Sequence, residues 1–434
     1  MKKRKTSYQE AVRYLFSLQK YGIKFGLSKT SNLLKVFGNP HKGQKYVHFA
    51  GTNGKGSAAA FVASILKEAG LKVGLYSSPH LVRFTERFRI NDKEITNEKA
   101  TALIEELRDA FVEKEPPTFF EVTTAMALIY FARENTDIAI METGMGGRLD
   151  ATNVITPLVS VITNISMEHQ FFLGSRLLDI AGEKAGIIKK NVDVVTGATQ
   201  PPVINLFKSI AKEKNAPLWR VGKEIRYRTT GDRFHYYGLK HRHNNLHLGL
   251  RGRFQFRNAA LALAVVELLE EKGFEISSEN IREGLNNTIW PGRMQIVARN
   301  PTIMLDGAHN PAAIRALAKS IKADFKYKRL ILVIGVMGDK DIGQLIRGIV
   351  PVSDYVVYTR PVYSRAADPG ILMAEAMPLQ KPGEMIHVLT KAVDRAREVA
   401  DPKDLIIICG SLFTVGEAMR YLIPELYGQD DLLF

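Results

Sequence analysis

The most informative segment of the sequence is a glycine-rich stretch, GTNGKGS, at residues 51–57. It follows a short apolar run at 46–50 that we expect to be a strand, and it opens a predicted helix at 57–69. In such a turn, glycines let backbone N–H groups face a phosphate, while the helix N-terminus adds positive potential. Lys55 can neutralise the outer phosphates and the Ser57 hydroxyl can hold Mg²⁺. The segment predicts phosphate binding, although Gly56 separates Lys55 from Ser57, which are adjacent in the common phosphate-loop pattern.

Two further candidates follow predicted strands downstream of this loop. Glu142 comes directly after an apolar run at 138–141, and His169 lies beyond another at 158–162. Because ligands of open α/β sheets bind at the carboxyl ends of strands, Glu142 is predicted to reach a magnesium ion on the phosphates. Position alone leaves His169 equally compatible with a role in the site and with none. Lys184 lies on the next predicted helix, where pattern alone favours a surface lysine.

A second group of candidates lies in the C-terminal third of the chain. The segments DGAHNP at 306–311 and GSLF at 410–413 each follow a predicted strand, so we expect them to share one sheet edge. If that edge faces the phosphate loop, the active site lies between two domains. The three histidines within 241–247 lack a neighbouring carboxylate and predict a metal site poorly, and Cys409 closes a buried strand, which favours packing.

The pattern along the chain predicts an α/β fold in two domains. Residues 1–297 alternate apolar strands with amphipathic helices, which is typical of a doubly wound, mostly parallel sheet around a P-loop mononucleotide-binding site. Residues 224–250 mix polar, aromatic and glycine residues, which indicates antiparallel hairpins. After the WPGR breaker at 290–293 the alternation resumes, so residues 298–434 are expected to form a smaller Rossmann-like α/β domain. The predicted strands are 46–50, 71–76, 138–141, 158–162, 302–305, 330–335, 355–358, 385–389 and 405–409; the predicted helices are 57–69, 177–188, 256–271, 278–286, 311–323 and 391–400.

Composition and charge narrow the class of protein. The 434 residues are 45% hydrophobic and 24% charged, which excludes collagen-like, mucin-like and largely disordered chains. A single cysteine excludes an intrachain disulfide framework and a cysteine-ligated metal cluster. The net charge of +15 is scattered, which favours a solvated surface with some attraction for anionic substrates over nucleic-acid binding.

The sequence also predicts where the protein works. No apolar run reaches the roughly 18 residues that a membrane helix needs. Ser7 and Glu10 form a capping box ahead of residues with helical, amphipathic spacing, where a secretory signal would need a continuous apolar stretch. We therefore expect a cytoplasmic enzyme with neither a membrane nor a nucleic acid as partner. We separately expect it to be a monomer.

Six segments occur in an order that resembles the folylpolyglutamate synthases, the folate branch of the Mur ligase superfamily. They are GTNGKGS at 51–57, SSPHL at 77–81, ETGMGGRLDATN at 142–153, EKAGI at 183–187, WPGR at 290–293 and DGAHNP at 306–311. The resemblance extends from about residue 8 to the C-terminus, and the glycine between Lys55 and Ser57 is the form that this family uses. It implies an ATP-dependent amide ligase that adds L-glutamate to the γ-carboxylate of a folate. Many bacterial members also join glutamate to dihydropteroate, which gives dihydrofolate.

The resemblance also assigns roles to individual residues, with ATP and two Mg²⁺ ions as the implied cofactors. The phosphates would be held by Gly54, Lys55, Gly56 and Ser57, and ATP would also contact Asn258, Arg293 and Asp306. One Mg²⁺ would be bound by Ser78 and Glu142 and the second by His169, supported by a carbamylated Lys184. A pterin site would be lined by Thr118, Phe120 and Asp150, and the incoming glutamate would meet His309 and Ser411. The expected catalytic residues are Lys55, Lys184, Arg293 and His309, of which His309 is the candidate for helping to deprotonate the glutamate amine.

Two positions depart from the family pattern. Many members have Asp-His where this chain has Glu168-His169, and an acidic residue is usual where Met294-Gln295 follows Arg293. The sequence leaves open which folate form is preferred, how long the glutamate tail becomes and whether both activities coexist.

Three alternative functions fit the sequence less well. A Mur ligase for cell-wall precursors usually carries a UDP-binding domain ahead of the ATP loop, and the 50 residues before Gly51 are too few for one. A nucleic-acid-dependent P-loop ATPase is favoured only by the net charge. A non-catalytic nucleotide-binding module is disfavoured by the density of candidate residues in both predicted domains.

Overall fold

The computed structural model describes residues 6–22, 26–111 and 116–427. Their contacts divide this part of the chain into two compact units. The first runs to His80 and continues through Phe84–Gly249 and Gln255–Ile289, and the second comprises Leu81–Arg83, Leu250–Phe254 and the chain from Trp290 onward. The sequence-based boundary at residue 297 lies a few residues beyond Trp290 and stays a prediction.

The first unit is built on a mostly parallel sheet with helices around it. Its strands are β1 (Tyr46–Ala50), β2 (Val73–Tyr76), β3 (Phe88–Ile90), β4 (Lys93–Glu94), β5 (Ile138–Glu142), β6 (Val159–Ile162), β7 (Asp193–Thr196), β8 (Leu218–Arg220), β9 (Arg226–Thr230), β10 (Arg233–Tyr237) and β11 (Arg242–Leu246). Its helices are α1 (Tyr8–Ser17), α2 (Ser28–Val36), α3 (Lys55–Glu68), α4 (Asn97–Asp109), α5 (Phe119–Arg133), α6 (Gln170–Leu173), α7 (Leu177–Ala185), α8 (Pro201–Glu213), α9 (Phe254–Glu270) and α10 (Ser278–Asn287). Short 3-10 helices span Leu18–Tyr21, Phe84–Arg87 and Ala151–Val154.

The strand order of the main sheet determines where the loops meet. The order is β4-β3-β2-β5-β1-β6-β7-β8, with β3 and β4 antiparallel and the pairs from β2 to β8 parallel. Strand β1 is therefore central, and Phe49 pairs with Glu142 on β5 while Ala50 pairs with Ile162 on β6. Since every residue of β1, β5 and β6 is buried, as their continuous apolar runs predict, the three following loops are held side by side.

One hydrophobic core of this unit lies between the sheet and the helices that follow β6 and β7. It includes Ile162 and Val194 from the strands, Ile180 from α7 and Phe207 from α8, all of which are fully buried. At the start of the unit, Ser7 and Glu10 form the predicted capping box on α1.

The predicted hairpins form a separate three-stranded antiparallel sheet in the order β11-β10-β9. A buried carboxylate on α9, Glu267, holds this sheet: it accepts hydrogen bonds from the Tyr236 hydroxyl at 3.1 Å, from Leu239 N at 2.7 Å and from His241 N at 2.8 Å. A buried charge needs such donors, so the hairpin turn and α9 fix one another.

The second unit is a six-stranded sheet in the order β12-β13-β17-β14-β15-β16, parallel except for β12. Its strands are β12 (Gln295–Ala298), β13 (Thr302–Leu305), β14 (Leu330–Ile334), β15 (Tyr355–Arg360), β16 (Gly383–Val388) and β17 (Leu405–Cys409). Its helices are α11 (Pro311–Asp324), α12 (Ile342–Ile349), α13 (Pro369–Ala376), α14 (Leu389–Val399) and α15 (Leu412–Leu422), with 3-10 helices at Val350–Val352 and Met377–Leu379. Because β13 and β17 are parallel neighbours, the segments at 306–311 and 410–413 share one edge, as predicted.

These two sheets confirm the predicted α/β fold. Cys409 is fully buried at the end of β17, and burial raises the pKa of its thiol, in agreement with a packing role. Among the residues described, none of the helices combines the length and the apolar character that crossing a bilayer requires.

Candidate active site

The loop after β1 has the conformation that its glycines allow. Gly51 has a φ of 144° and Gly54, the N-cap of α3, a φ of 85°, values that L side chains rarely adopt. Space is equally restrictive: a Cβ on Gly51 would lie 3.0 Å from Thr163 N, and one on Gly54 would lie 3.1 Å from Asn258 Cγ. Both glycines are therefore required by backbone angle and by close neighbours at once.

Hydrogen bonds pin this loop to the segment that follows β6. Thr52 N donates to Asn164 O at 2.9 Å, and Asn53 N donates to Asn164 Oδ1 at 3.0 Å. In return Thr163 Oγ1 donates to Asn53 O at 2.7 Å, and Ser166 N donates to Thr52 Oγ1 at 3.0 Å. The loop is thus fixed before any phosphate arrives, which limits the entropy lost on binding.

Two lysines converge on one carbonyl of this loop. Lys55 Nζ donates to Gly51 O at 3.1 Å and lies 3.8 Å from Glu142 Oε1. Lys184 Nζ donates to the same carbonyl at 2.9 Å and forms an ion pair with Glu168 Oε1, also at 2.9 Å. Lys184 is 1% exposed, so the surface position that pattern alone favoured is wrong. Two cations and two carboxylates therefore surround the phosphate loop.

The charges of this cluster perturb one another. Burial lowers the pKa of Lys184, an effect that the Glu168 carboxylate opposes. Burial alone would raise the pKa of Glu168, but Lys184, Lys55 and His169 lower it to about 2. Glu168 is therefore ionised at neutral pH. His169 itself lies in the left-handed region, with a φ of 46°, directly before α6.

Side chains of α9 contact the helix that the phosphate loop opens. Gln255 Nε2 donates to Ser57 Oγ at 3.3 Å, and Asn258 Nδ2 donates to Gln255 Oε1 at 2.8 Å. Gln255 and Asn258 are both buried. Asn258, which the sequence analysis linked to ATP, therefore lies beside Gly54, and Gln255 is a contact that pattern did not predict.

Oxygen donors suited to magnesium lie at the same sheet edge. Tyr76 at the end of β2 pairs with Met141 on β5, so half-buried Ser78 follows the strand next to the one that ends at Glu142. Carboxylate and hydroxyl oxygens, completed by phosphate oxygens and water, are the usual surroundings of Mg²⁺. No cluster of three or more His, Cys, Asp or Glu side chains able to hold a metal is found in the described chain. The donors present thus fit an ion that phosphate helps to hold.

Two of the three predicted pterin residues, Phe120 and Asp150, hold the loop after β5, and the third, Thr118, lies at the start of α5. Thr118 caps α5 in a capping box with Glu121, and the ring of Phe120 packs against Gly144 so closely that no side chain fits there. Asp150 is buried and accepts from Met145 N at 2.9 Å, and burial raises the pKa of its carboxyl. Phe120 and Asp150 thus contact Gly144 and Met145, two adjacent residues of this loop.

In the second unit, Asp306 organises the turn after β13. It accepts from Met294 N at 3.0 Å and from Ala308 N at 2.9 Å, and burial raises its pKa while Arg293 opposes that shift. Arg293 Nη1 donates to Gly292 O at 3.0 Å. Gln295 Oε1 accepts from Gly292 N at 2.9 Å, so this departure from the family pattern supports the same turn.

His309 and Ser411 lie at that edge as well. His309 Nδ1 is 2.9 Å from Gly307 O, a contact in which the ring nitrogen must donate. Ser411 is the N-cap of α15 and accepts from Thr414 N at 3.0 Å. Phe413 stacks on Tyr363 with ring centroids 4.0 Å apart.

Arg87 is a buried cation that the sequence analysis missed. It is 5% exposed, donates from Nε to His80 Nδ1 at 2.7 Å, and lies 5.1 Å from the centroid of the Phe119 ring. The burial of Arg87 could not be predicted from the sequence pattern, because an arginine within a polar 3-10 segment is normally exposed.

Comparison with known proteins covers both units. Residues 49–266 match the family described as Mur ligase middle domain, and residues 292–412 match Mur ligase, glutamate ligase domain. A relative from Haloferax volcanii, named "Probable bifunctional folylpolyglutamate synthase/dihydropteroate synthase", is 37% identical over 97% of this chain, which spans about half (51%) of that relative. The Bacillus subtilis "Dihydrofolate synthase/folylpolyglutamate synthase" is 36% identical over 83% of this chain and 87% of its own length.

Solved structures are similar over nearly the whole chain. E. coli FolC in complex with DHPP and ADP has a TM-score of 0.88 and 34% identity, covering 96% of this chain and 98% of that one. A bifunctional folylpolyglutamate synthase/dihydrofolate synthase with Mn, AMPPNP and L-glutamate bound has a TM-score of 0.85 and 31% identity, covering 96% and 100%.

The fold and the site define a Mur-type, ATP-dependent ligase, in which a phosphate-loop unit precedes a glutamate ligase domain. Within that class, the chain belongs to the folylpolyglutamate synthase/dihydrofolate synthase family.

Proposed function

We propose that this chain uses ATP to join L-glutamate to the γ-carboxylate of a folate, and that it also joins L-glutamate to dihydropteroate. The observation that carries the proposal is the convergence of Lys55, Lys184 and Glu142 on the phosphate loop at the carboxyl ends of β1 and β5. The Bacillus subtilis relative is named for both activities.

The chemistry required is activation of an inert carboxylate. A carboxylate oxygen of the acceptor attacks the γ-phosphorus of ATP, so ADP leaves and an acyl phosphate forms. The amine nitrogen of glutamate then attacks the carbonyl carbon, and phosphate departs with the electrons of the carbon–oxygen bond. The amine must first lose a proton, and His309 is the proposed acceptor of it.

Lys55 and Arg293 would offset the repulsion between the two anionic substrates. Phosphoryl transfer depends mainly on positioning and charge neutralisation, because little covalent work falls to the protein. Lys55 already donates to the Gly51 carbonyl. When a phosphate binds in the loop, Lys55 would exchange this neutral partner for a charged one. Gly54, Gly56 and Ser57 would supply the backbone and hydroxyl groups around the same phosphates.

Magnesium, when bound, would neutralise charge on the phosphate oxygens and keep them aligned. We assign one ion to Glu142 and Ser78 and a second to His169. A solved relative with Mn and AMPPNP bound supports the use of a divalent metal.

Lys184 would act as a carbamate. Its burial lowers its pKa, which increases the fraction of neutral amine that can attack CO₂ with loss of a proton. The product would be an anion beside Glu168, so the ion pair seen here would have to open. The carbamate would then support the ion at His169.

The remaining assignments concern substrates and setting. We assign the pterin to Thr118, Phe120 and Asp150. ATP would additionally contact Asn258, Arg293 and Asp306, and glutamate would meet His309 and Ser411. That the protein acts as a monomer in the cytoplasm stays a prediction from the sequence.

The test is incorporation of labelled L-glutamate by the purified protein with ATP and Mg²⁺, offering tetrahydrofolate and dihydropteroate separately. We expect incorporation with each acceptor and one ADP released per glutamate. Parallel reactions with a UDP-linked cell-wall precursor and with DNA or RNA should show no product and no stimulated ATP hydrolysis. Incorporation without ADP, or no incorporation with either folate acceptor, would contradict the proposal.

A further inference from the structure

A chain of buried side chains leads from the centre of the sheet to Asp150. His48 lies in the middle of β1 and is fully buried. Its Nε2 is 2.8 Å from Thr152 Oγ1, and Thr152 Oγ1 in turn donates to Asp150 Oδ1 at 2.5 Å. A polar relay of this kind inside an apolar sheet costs free energy to bury, so it calls for a purpose beyond packing.

Counting the donors around Asp150 shows which atom donates in each of these hydrogen bonds. Asp150 Oδ1 also accepts from Thr152 N at 3.0 Å, and Oδ2 accepts from Met145 N at 2.9 Å, which is the environment of a carboxylate. A carboxylate only accepts, so the one hydrogen of the Thr152 hydroxyl goes to it. His48 must therefore donate from Nε2. Its Nδ1 is then without a hydrogen, which agrees with its having no hydrogen-bond partner in the described chain.

The hydrogen bonds from His48 to Thr152 and from Thr152 to Asp150 fix the orientation of the Asp150 carboxylate. Thr152 supplies two donors to Oδ1, and His48 prevents the Thr152 hydroxyl from rotating away, because rotation would leave a buried imidazole N–H unsatisfied. Thr152 occupies both lone pairs of Oδ1, so a further N–H donor, such as an amino group of a pterin, would be accepted by Oδ2, whose direction is set by the two Thr152 bonds to Oδ1. A carboxylate free to rotate would lose that geometry.

We propose that His48 and Thr152 are positioning residues that hold Asp150 for recognition of the pterin ring. This inference rests on the proposed function, because pterin binding by Asp150 is part of it. His48 and Thr152 touch no substrate themselves and act through the orientation of one carboxylate.

The test separates orientation from stability by comparing Michaelis constants. Thr152→Val and His48→Met remove links of the chain, whereas Thr152→Ser keeps the hydroxyl and His48→Gln keeps a donor near the position of Nε2. Thr288→Val is the control, since Thr288 is buried in the same unit and its hydroxyl donates to Gly284 O at 2.6 Å on another element. Melting temperature, kcat and the KM values for the pterin acceptor, ATP and glutamate are measured for each.

Thr152→Val removes a hydrogen bond to a charged group and should raise the KM for the pterin acceptor on the order of 10-fold. His48→Met removes a bond to a neutral hydroxyl and should raise the same KM by less, roughly 5-fold. Their KM values for ATP and glutamate should not change, and Thr152→Ser and His48→Gln should stay near wild type. Thr288→Val should lower the melting temperature alone.

The inference is overturned if Thr152→Val and His48→Met behave like Thr288→Val, or if all three KM values rise together. If Thr152→Val does not fold, the His48 pair decides by the same criterion. A wild-type protein that ligates no glutamate would instead refute the proposed function itself.

Discussion

Replacing Gly54 by alanine should damage the phosphate loop by an amount that the structure allows us to work out. Gly54 has a φ of 85°, and holding alanine in this left-handed region costs about 1–2 kcal/mol. The new Cβ would also lie 3.1 Å from Asn258 Cγ and closer still to its Oδ1. Asn258 must then move, which breaks its 2.8 Å hydrogen bond to Gln255 and costs about 1 kcal/mol more. Gly54→Ala should therefore lower the free energy of unfolding by roughly 2–3 kcal/mol in total.

Gly70 provides a matched control at the other end of α3. Its φ of 81° is almost that of Gly54, but nothing lies within 4 Å of a Cβ placed there. Gly70→Ala should therefore show the backbone strain alone, about 1–2 kcal/mol. The difference in free energy of unfolding between the two variants therefore measures the cost of the close contact with Asn258.

Urea unfolding gives both free energies, and the KM for ATP gives the functional effect. We expect Gly54→Ala to lose more stability than Gly70→Ala and to raise the KM for ATP roughly 10-fold, equivalent to about 1.4 kcal/mol, while Gly70→Ala leaves that KM unchanged. Adding Asn258→Ala to Gly54→Ala should recover part of the lost stability. Equal losses in the two single variants, with no recovery in the double variant, would refute the reasoning from close contact.

Three further outcomes follow from the charged groups. Lys55→Ala should leave the melting temperature within a few degrees of wild type and remove most ATP turnover; normal turnover would argue against phosphate binding by this loop. Lys184→Ala should abolish ligation, and added short carboxylates should restore part of it, whereas a fully active variant would exclude the carbamate. Asp404→Asn should destabilise the second unit by about 1 kcal/mol at pH 7, because Asp404 accepts from Arg329 Nη2 at 2.6 Å, while the 40% exposure of the Arg329 side chain screens the pair. Burial raises the pKa of Asp404, but hydrogen bonds and Arg329 lower it overall, so its contribution is complete above the unfolded pKa of about 3.9 and the difference from wild type should shrink as pH falls below it.

Residues at strand ends were predictable because their position depends on local pattern. The runs at 46–50, 302–305 and 405–409 are strands with those bounds, since strands buried on both faces are continuously apolar. Placing the strand at 302–305 brings Asp306 to the carboxyl edge of its sheet, and the apolar run at 138–141 does the same for Glu142 at the end of β5. Ligands of α/β sheets bind at the carboxyl ends of strands, so these two residues could be proposed as site residues without knowing any long-range contact.

Helix limits and some whole elements were less predictable. The helix predicted at 57–69 is Lys55–Glu68, because Gly54 rather than a hydroxyl residue is its N-cap. Helix α5 was missed: it is buried on nearly all sides, so its hydrophobic residues show no helical period. Strand β8 was missed because its residues are only half buried.

The state of Lys184 could not be predicted from local pattern at all. Its partners, Gly51 O and Glu168, are brought to it by the sheet and not by the helix on which it lies. A lysine at the end of an amphipathic helix is ordinarily exposed, and only the resemblance to a family indicated otherwise. Roles that depend on such contacts, including those of Asp150 and His309, came from that resemblance.

The central place of β1 has a consequence for synthesis on the ribosome. Ala50 leaves the exit tunnel long before Ile138 and Val159, which begin the two strands that flank β1. At translation rates of about 5–20 residues per second, β1 waits on the order of 5–20 s with both edges unpaired. An apolar strand in that state is a template for pairing with other nascent chains, so the phosphate loop is attached to a segment that is open to mispairing during synthesis.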